Sequence, residues 1–194
     1  MSTRFDRSEL ESYRDTEVPD LIGPGLRLLF VGINPGLWTA ATGAHFARPG
    51  NRFFPALAAA GIIERPIDPT SGLSSADREH LIARGVGITN LVARATAKAD
   101  ELTTDELVAG ADRLRETVRS CSPRVVAIAG ITAYRTGFGV RAARKGPQPA
   151  GLEGARLWVV PNPSGLNAHE TVSTLAVSYA AAAEEAGIMV QHGS

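Results

Sequence analysis

Apolar residues in this chain come in short unbroken runs, separated by stretches with helical spacing. Leu28-Leu29-Phe30-Val31, Val125-Val126-Ala127-Ile128-Ala129 and Leu157-Trp158-Val159-Val160 show no polar alternation. Runs of this kind predict strands covered on both faces, the pattern of a parallel sheet. The first strand is read as Arg27–Gly32 and the last as Leu157–Val160, with Val86–Leu91 a further short strand. Helices are predicted near Ser8–Asp15, from Asn51 to about Ala60, and near Asp77–Ala83. In the second of these, Phe53, Phe54, Leu57 and Ala58 share the inner side. Thr103 and Glu106 stand at capping-box spacing ahead of Leu107, Ala111, Leu114 and Val118, which repeat at helical intervals until Pro123. Thr132–Phe138 and Thr171–Glu185 are the last two helices, with Gly187 as the final stop. Residues 37–50 and 64–80 read as irregular, and 141–155 as a surface excursion. Strands alternating with helices define an α/β protein with a mainly parallel central sheet.

Two Asn-Pro turns follow buried strands directly. Gly32-Ile33-Asn34-Pro35-Gly36 leaves the first strand, and Asn162-Pro163-Ser164-Gly165-Leu166 leaves the last. Loops at strand ends of an open α/β sheet are where ligands bind, so two such loops can converge on one pocket. Pro35 biases Asn34 away from helix and Gly36 permits a tight turn, which exposes the Asn34 amide and nearby backbone N–H groups. An amide is a poor base, yet it positions a water or reads a polar ring edge. The plain alternative is a turn whose side chain satisfies only its own backbone. Leu166 has two readings as well: a staple for the final helix, or a wedge that fills a gap in a base stack.

Length and charge narrow the field. At 194 residues, with 44% hydrophobic and 21% charged positions, the chain has the makeup of one ordinary globular domain. That domain is taken as residues 1–194, with 1–21 an N-terminal extension and 188–194 a loose tail. Formal net charge is zero, which argues against a polyanion binder that works by bulk attraction but leaves room for a local basic face. The single cysteine, Cys121, permits no intramolecular disulfide and no cysteine-rich zinc site. No signal-peptide core or membrane-length apolar run is present, and a cytoplasmic location is expected, nucleoid-associated in a bacterium.

The motifs resemble one family. Gly32-Ile33-Asn34-Pro35-Gly36-Leu37, Thr42-Gly43, Phe46-Ala47, Pro49 and Asn51-Arg52-Phe53 look like the first motif of the mismatch-specific uracil/thymine-DNA glycosylases, family 2 of the uracil-DNA glycosylase superfamily. Pro161-Asn162-Pro163-Ser164-Gly165-Leu166 looks like the second, and Gly85–Val92 and Pro123–Ile128 extend the likeness over about residues 22–186. The resemblance implies a three-layer α/β/α fold and a monofunctional enzyme. Such an enzyme flips uracil, or thymine or a modified cytosine, from mismatched duplex DNA and hydrolyses its glycosidic bond, leaving an abasic site. It implies that Asn34 holds the water, that Ile33, Phe46 and Asn162 bind the base, and that Gly165, Leu166 and Asn167 form the wedge and opposite-strand reader. Thr39, His45, Asn90 and His169 are secondary candidates. No metal or organic cofactor is implied, and the expected partner of the monomer is double-stranded DNA, with unspecified repair enzymes downstream.

The chain departs from the family pattern in three places: Asn167-Ala168-His169 after the wedge, Ile131 in place of the usual lysine, and Trp38 at the first loop. Trp38 is read as a packing residue or a pocket wall, and His45 as a base contact or an ordinary hydrogen-bonded histidine. Arg48 and Arg52, with Arg141, Arg144 and Lys145, are candidate phosphate contacts. A non-catalytic nucleic-acid binder and a small-molecule nucleoside enzyme remain the competing readings.

Overall fold

The computed structural model describes residues 5–190. Four strands run parallel: β1 (Leu28–Gly32), β2 (Val86–Asn90), β3 (Val125–Ala129) and β5 (Arg156–Val160). The two-residue β4 (Gly146–Pro147) pairs antiparallel on the outer side of β5, so the sheet order is β2-β1-β3-β5-β4. The unbroken apolar runs have a direct cause in the pleat. Leu28, Phe30, Val125 and Ala127 point into one core, whereas Leu29, Val31, Val126 and Ile128 point into the other. Both faces of the sheet are covered, so every residue of β1 is buried.

On the first face lie α3 (Phe53–Ala59), α4 (Ser75–Ala83) and α7 (Val172–Glu185). The second face holds α5 (Thr104–Cys121) and α6 (Ile131–Gly137). The result is a three-layer α/β/α fold with a mixed, mostly parallel sheet. Strand order reverses between β1 and β3, which makes their C-terminal ends the topological switch point. Both Asn-Pro loops leave that edge.

Most element boundaries fall within one or two residues of the sequence expectation; three segments differ in kind. The 37–50 loop contains α2 (Leu37–Thr42), a helix too short for periodicity to reveal. It is held by burial of Leu37 and Thr39 and by Trp38 Nε1 donating to the Thr70 carbonyl at 3.1 Å. Part of the 64–80 loop is the first turn of α4, where Ser74 caps through Asp77. The 141–155 excursion is no bare surface loop. It supplies β4 and buries Gln148, Leu152 and Ala155. A two-residue edge strand containing proline leaves no pattern in sequence.

The N-terminal region differs too. Helix α1 (Arg7–Glu11) ends four residues before the expected Asp15, and the chain then turns onto the sheet edge. Leu21 exchanges backbone bonds with Ile88, and Asp15 N–H donates to the Ala95 carbonyl. At the other end Ile188 is buried against the core, while 191–194 of the expected loose tail lie outside the described residues. No helix among the described residues is long and apolar enough to cross a membrane.

Candidate active site

A cavity of about 370 Å³ opens at the switch point. Ile33, Asn34, Thr39, His45, Phe46, Asn90, Asn162 and Leu166 all line it, so the structure brings together eight residues spread over 134 positions (33 to 166, inclusive). Gly165, Asn167 and His169 lie outside that lining, on the same outer loop as Leu166.

The Asn34 amide has a defined orientation. Its Nδ2 donates to Thr96 Oγ1 at 2.7 Å, to the Arg94 carbonyl at 3.0 Å and to the Pro35 carbonyl at 3.2 Å. Carbonyls only accept, so the nitrogen must be the atom facing them. Thr96 Oγ1 passes its own proton to the Lys98 carbonyl at 2.7 Å, which leaves its lone pairs to Asn34. Asn34 Oδ1 has no partner among the described residues and is not a buried orphan, so it is open to the cavity. It is an acceptor fixed in place by the three acceptors that hold the amide nitrogen behind it. The Thr96 contribution had no signal in the sequence, since the two residues are 62 positions apart.

Asn162 is oriented the opposite way. Its Oδ1 accepts from Ser164 N–H at 2.9 Å, an Asx turn, so Nδ2 is the end left for a ligand. Asn90 Nδ2 lies 3.1 Å from His45 Nδ1, and His45 Nε2 lies 3.0 Å from the Pro19 carbonyl. The carbonyl requires a proton on Nε2, so in neutral His45 Nδ1 is the acceptor and Asn90 is the donor. Burial holds the His45 pKa below its ordinary value, opposed by the bond to Pro19. With both ring nitrogens engaged and only 3% of its surface exposed, His45 is a prop for Asn90, which fits the second of its two readings, an ordinary hydrogen-bonded histidine. Asn90 Oδ1 then rests over Gly32. A Cβ there would sit 2.5 Å from that oxygen, so glycine is what lets the Asn90 side chain approach this closely.

Phe46 has a φ of +57°, a conformation that bulky residues rarely adopt. Its ring stacks on Phe53 with centroids 4.1 Å apart and planes 24° apart. Phe53 meets Phe30 edge-on at 5.1 Å and lies beside Tyr179 at 5.8 Å, so the core supports the strained residue from below. One ring face of Phe46 is covered by Phe53, and the ring also lines the cavity. The N–H groups of Ile33 and Phe46 carry no bond among the described residues.

The outer loop is clamped by Arg52. Its guanidinium donates to the Ser164 and Asn167 carbonyls, each at 2.8 Å, and to the Glu170 carbonyl. Arg52 is therefore a loop clamp and not a phosphate contact. Lys145 is likewise engaged, by Glu170. Arg48 and Lys98 are exposed at the edge of the cavity, and Arg141 and Arg144 are exposed on the later loop. Gly165 packs so closely on the Gly50 carbonyl that a Cβ would stand 2.6 Å from it. Asn167 spends its side chain inside the loop, donating to the Asn162 carbonyl and accepting from His169 N–H. Leu166, 72% exposed, packs on nothing as a helix staple would; it projects beside the cavity. Trp38 is a packing residue, in edge contact with Phe5 at 5.1 Å. Among the described residues, no three His, Cys, Asp or Glu side chains are grouped to hold a metal ion.

Fold and cavity define a three-layer α/β/α protein with a ligand pocket at the switch point of its sheet, lined by an aromatic ring and three oriented amides. The model for the uracil DNA glycosylase superfamily matches residues 19–183, and the chain belongs to that superfamily of DNA glycosylases. Its fold is similar to a solution NMR structure from Methanosarcina acetivorans, provisionally assigned as a uracil DNA glycosylase. The TM-score is 0.60 at 14% identity, over 87% of this chain and 96% of that one.

Proposed function

We propose that the protein is a mismatch-specific uracil-DNA glycosylase that removes uracil, and thymine or modified cytosines more slowly, from duplex DNA opposite guanine. The observation that carries this reading is the Asn34 amide. Three acceptors hold its nitrogen, which leaves Oδ1 to accept from a water inside a cavity walled by Phe46. A flipped pyrimidine stacks on Phe46, with Asn162 Nδ2 and the free N–H groups of Ile33 and Phe46 donating to its carbonyls. Those donors stabilise the charge that develops on the departing base. Asn34 cannot deprotonate the water strongly, so the glycosidic bond opens first and the water traps a cation-like sugar. Bases that leave easily are preferred, and normal cytosine is spared. Neither motif loop carries a lysine, and the proposed enzyme is monofunctional and leaves an abasic site. Leu166 fills the vacated position in the stack. Opposite-strand reading falls to the backbone of Gly165 and the carbonyl of Leu166, because Leu166 N–H is donated to Ser164 Oγ and the N–H, carbonyl and amide side chain of Asn167 are all bonded within the protein.

The test is single-turnover excision from duplexes carrying uracil or thymine opposite guanine, uracil opposite adenine, and single-stranded uracil, with Asn34→Ala as control. Release of uracil that vanishes in the control supports the proposal. Folded protein that releases no base from any substrate refutes it.

A further inference from the structure

The loop that orients Asn34 does not stand alone. Residues 94–96 supply both the Arg94 carbonyl and the Thr96 hydroxyl that grip the Asn34 amide, and Thr96 N–H donates to the Pro35 carbonyl at 3.1 Å. This loop is stitched on its other edge to the N-terminal segment. Asp15 N–H donates to the Ala95 carbonyl and Ala95 N–H to the Thr16 carbonyl, each at 2.9 Å, and Glu17 forms an antiparallel bridge with Arg94. Asp15 makes the turn that allows this pairing with a φ of +63°, which aspartate tolerates better than most residues.

One side chain ties the arrangement together. Arg94 donates to Asp15 Oδ1 at 3.0 Å, to both carboxylate oxygens of Glu106 at 2.5 and 3.2 Å, and to the Glu101 carbonyl at 3.3 Å. Glu106 is the capping-box partner of Thr103 at the start of α5, and the Glu101 carboxylate is in turn paired with Arg14. Strap, loop and helix start thus meet at the residue whose carbonyl faces Asn34.

We propose that residues 14–17 are a positioning strap for Asn34, acting through Arg94 and the 94–96 loop. No residue of the strap lines the cavity, and the strap lies outside the stretch that matches the superfamily model, which begins at residue 19. The proposal rests on Asn34 being the water-holding residue. It extends that role to a segment that precedes the stretch matched by the superfamily model.

Two perturbations test it in the full chain. Asp15→Pro removes the N–H donated to Ala95 and cannot adopt a positive φ, so it peels the strap. Arg94→Met leaves the backbone and removes the tie, with Arg94→Lys as the conservative comparison. Single-turnover excision of uracil is expected to slow on the order of tenfold in Asp15→Pro and Arg94→Met. Duplex affinity should stay within about twofold, since no DNA-facing group is altered. Arg94→Lys should recover part of the rate. In an Asn34→Ala background, measured on 5-fluorouracil so that an easier leaving group keeps the rate readable, the strap substitutions should have no further effect. Equal slowing in that background, or rate and affinity lost together, overturns the proposal.

A readout independent of activity separates this inference from the proposed function. The Asn34 side-chain amide pair, identified by its disappearance in Asn34→Ala, is expected to move toward the free-amide position in amide NMR spectra of Asp15→Pro. If that resonance stays in place the strap does not position Asn34, whatever the enzyme does. If it moves while wild-type protein excises no base, the strap stands and the glycosylase reading fails.

Discussion

Asn34→Asp is the most discriminating substitution, because simple chemistry and this geometry predict opposite results. A carboxylate is a better base than an amide, so by basicity alone the variant should attack faster. The structure places three oxygens, from Thr96, Arg94 and Pro35, at 2.7, 3.0 and 3.2 Å from the atom that would change from NH₂ to oxygen. Two amide protons make two full bonds, to the nearer pair; at about 1 kcal/mol each their loss costs about 2 kcal/mol. Facing an anionic oxygen with two carbonyls, and with a Thr96 hydroxyl that can donate to it only by giving up the Lys98 carbonyl, adds a desolvation and repulsion penalty of about 1–2 kcal/mol in a half-buried site. The expected destabilisation is therefore about 3–4 kcal/mol for Asn34→Asp at pH 8, against about 2 for Asn34→Ala, which loses the bonds without the repulsion. The same repulsion raises the carboxyl pKa of the variant. Protonation then restores one donor, so stability and residual excision should recover together as pH falls toward 5. Urea denaturation at pH 8 and 5, paired with single-turnover rates, checks both. A variant as stable as wild type at pH 8, or one whose excision accelerates as pH rises, refutes the assigned amide orientation.

Three other outcomes follow from single contacts. Leu166→Ala should leave thermal stability unchanged, because the side chain is 72% exposed, while duplex excision falls about tenfold and single-stranded uracil is affected less; equal losses on both substrates would count against a wedge. Arg52→Met strips a donor from three loop carbonyls and should lower stability by about 2 kcal/mol and weaken duplex binding, measured by urea denaturation and anisotropy. The Glu106 carboxyl, held down to about 2 by Arg94 and then by its bond to Thr103, contributes stability that is complete above the ordinary carboxylate range and is lost as pH falls toward 2. The difference in melting temperature between wild type and Glu106→Gln should therefore shrink through that acid window, and a constant difference would contradict the pairing.

Much of this protein is settled locally along the chain. Strands buried on both faces need unbroken apolar runs, and helix starts need a capping residue a fixed distance from its partner. Both requirements lie within a few residues, so β1, β3, β5 and α5 were legible. The two Asn-Pro motifs marked where chemistry sits, because a strand end and a turn are also local features. Tertiary structure decided what those motifs present. Which end of Asn34 meets the cavity depends on Thr96, 62 residues away, and the left-handed Phe46 is tolerated because Phe53 stacks beneath it. Arg52 reads as a surface cation until its partners more than 100 residues downstream turn it into a clamp. A charged or amide side chain carries no record of its partners in its own sequence neighbourhood; the direction of its hydrogen bonds is fixed only when distant backbone carbonyls are brought against it by the packing of the sheet.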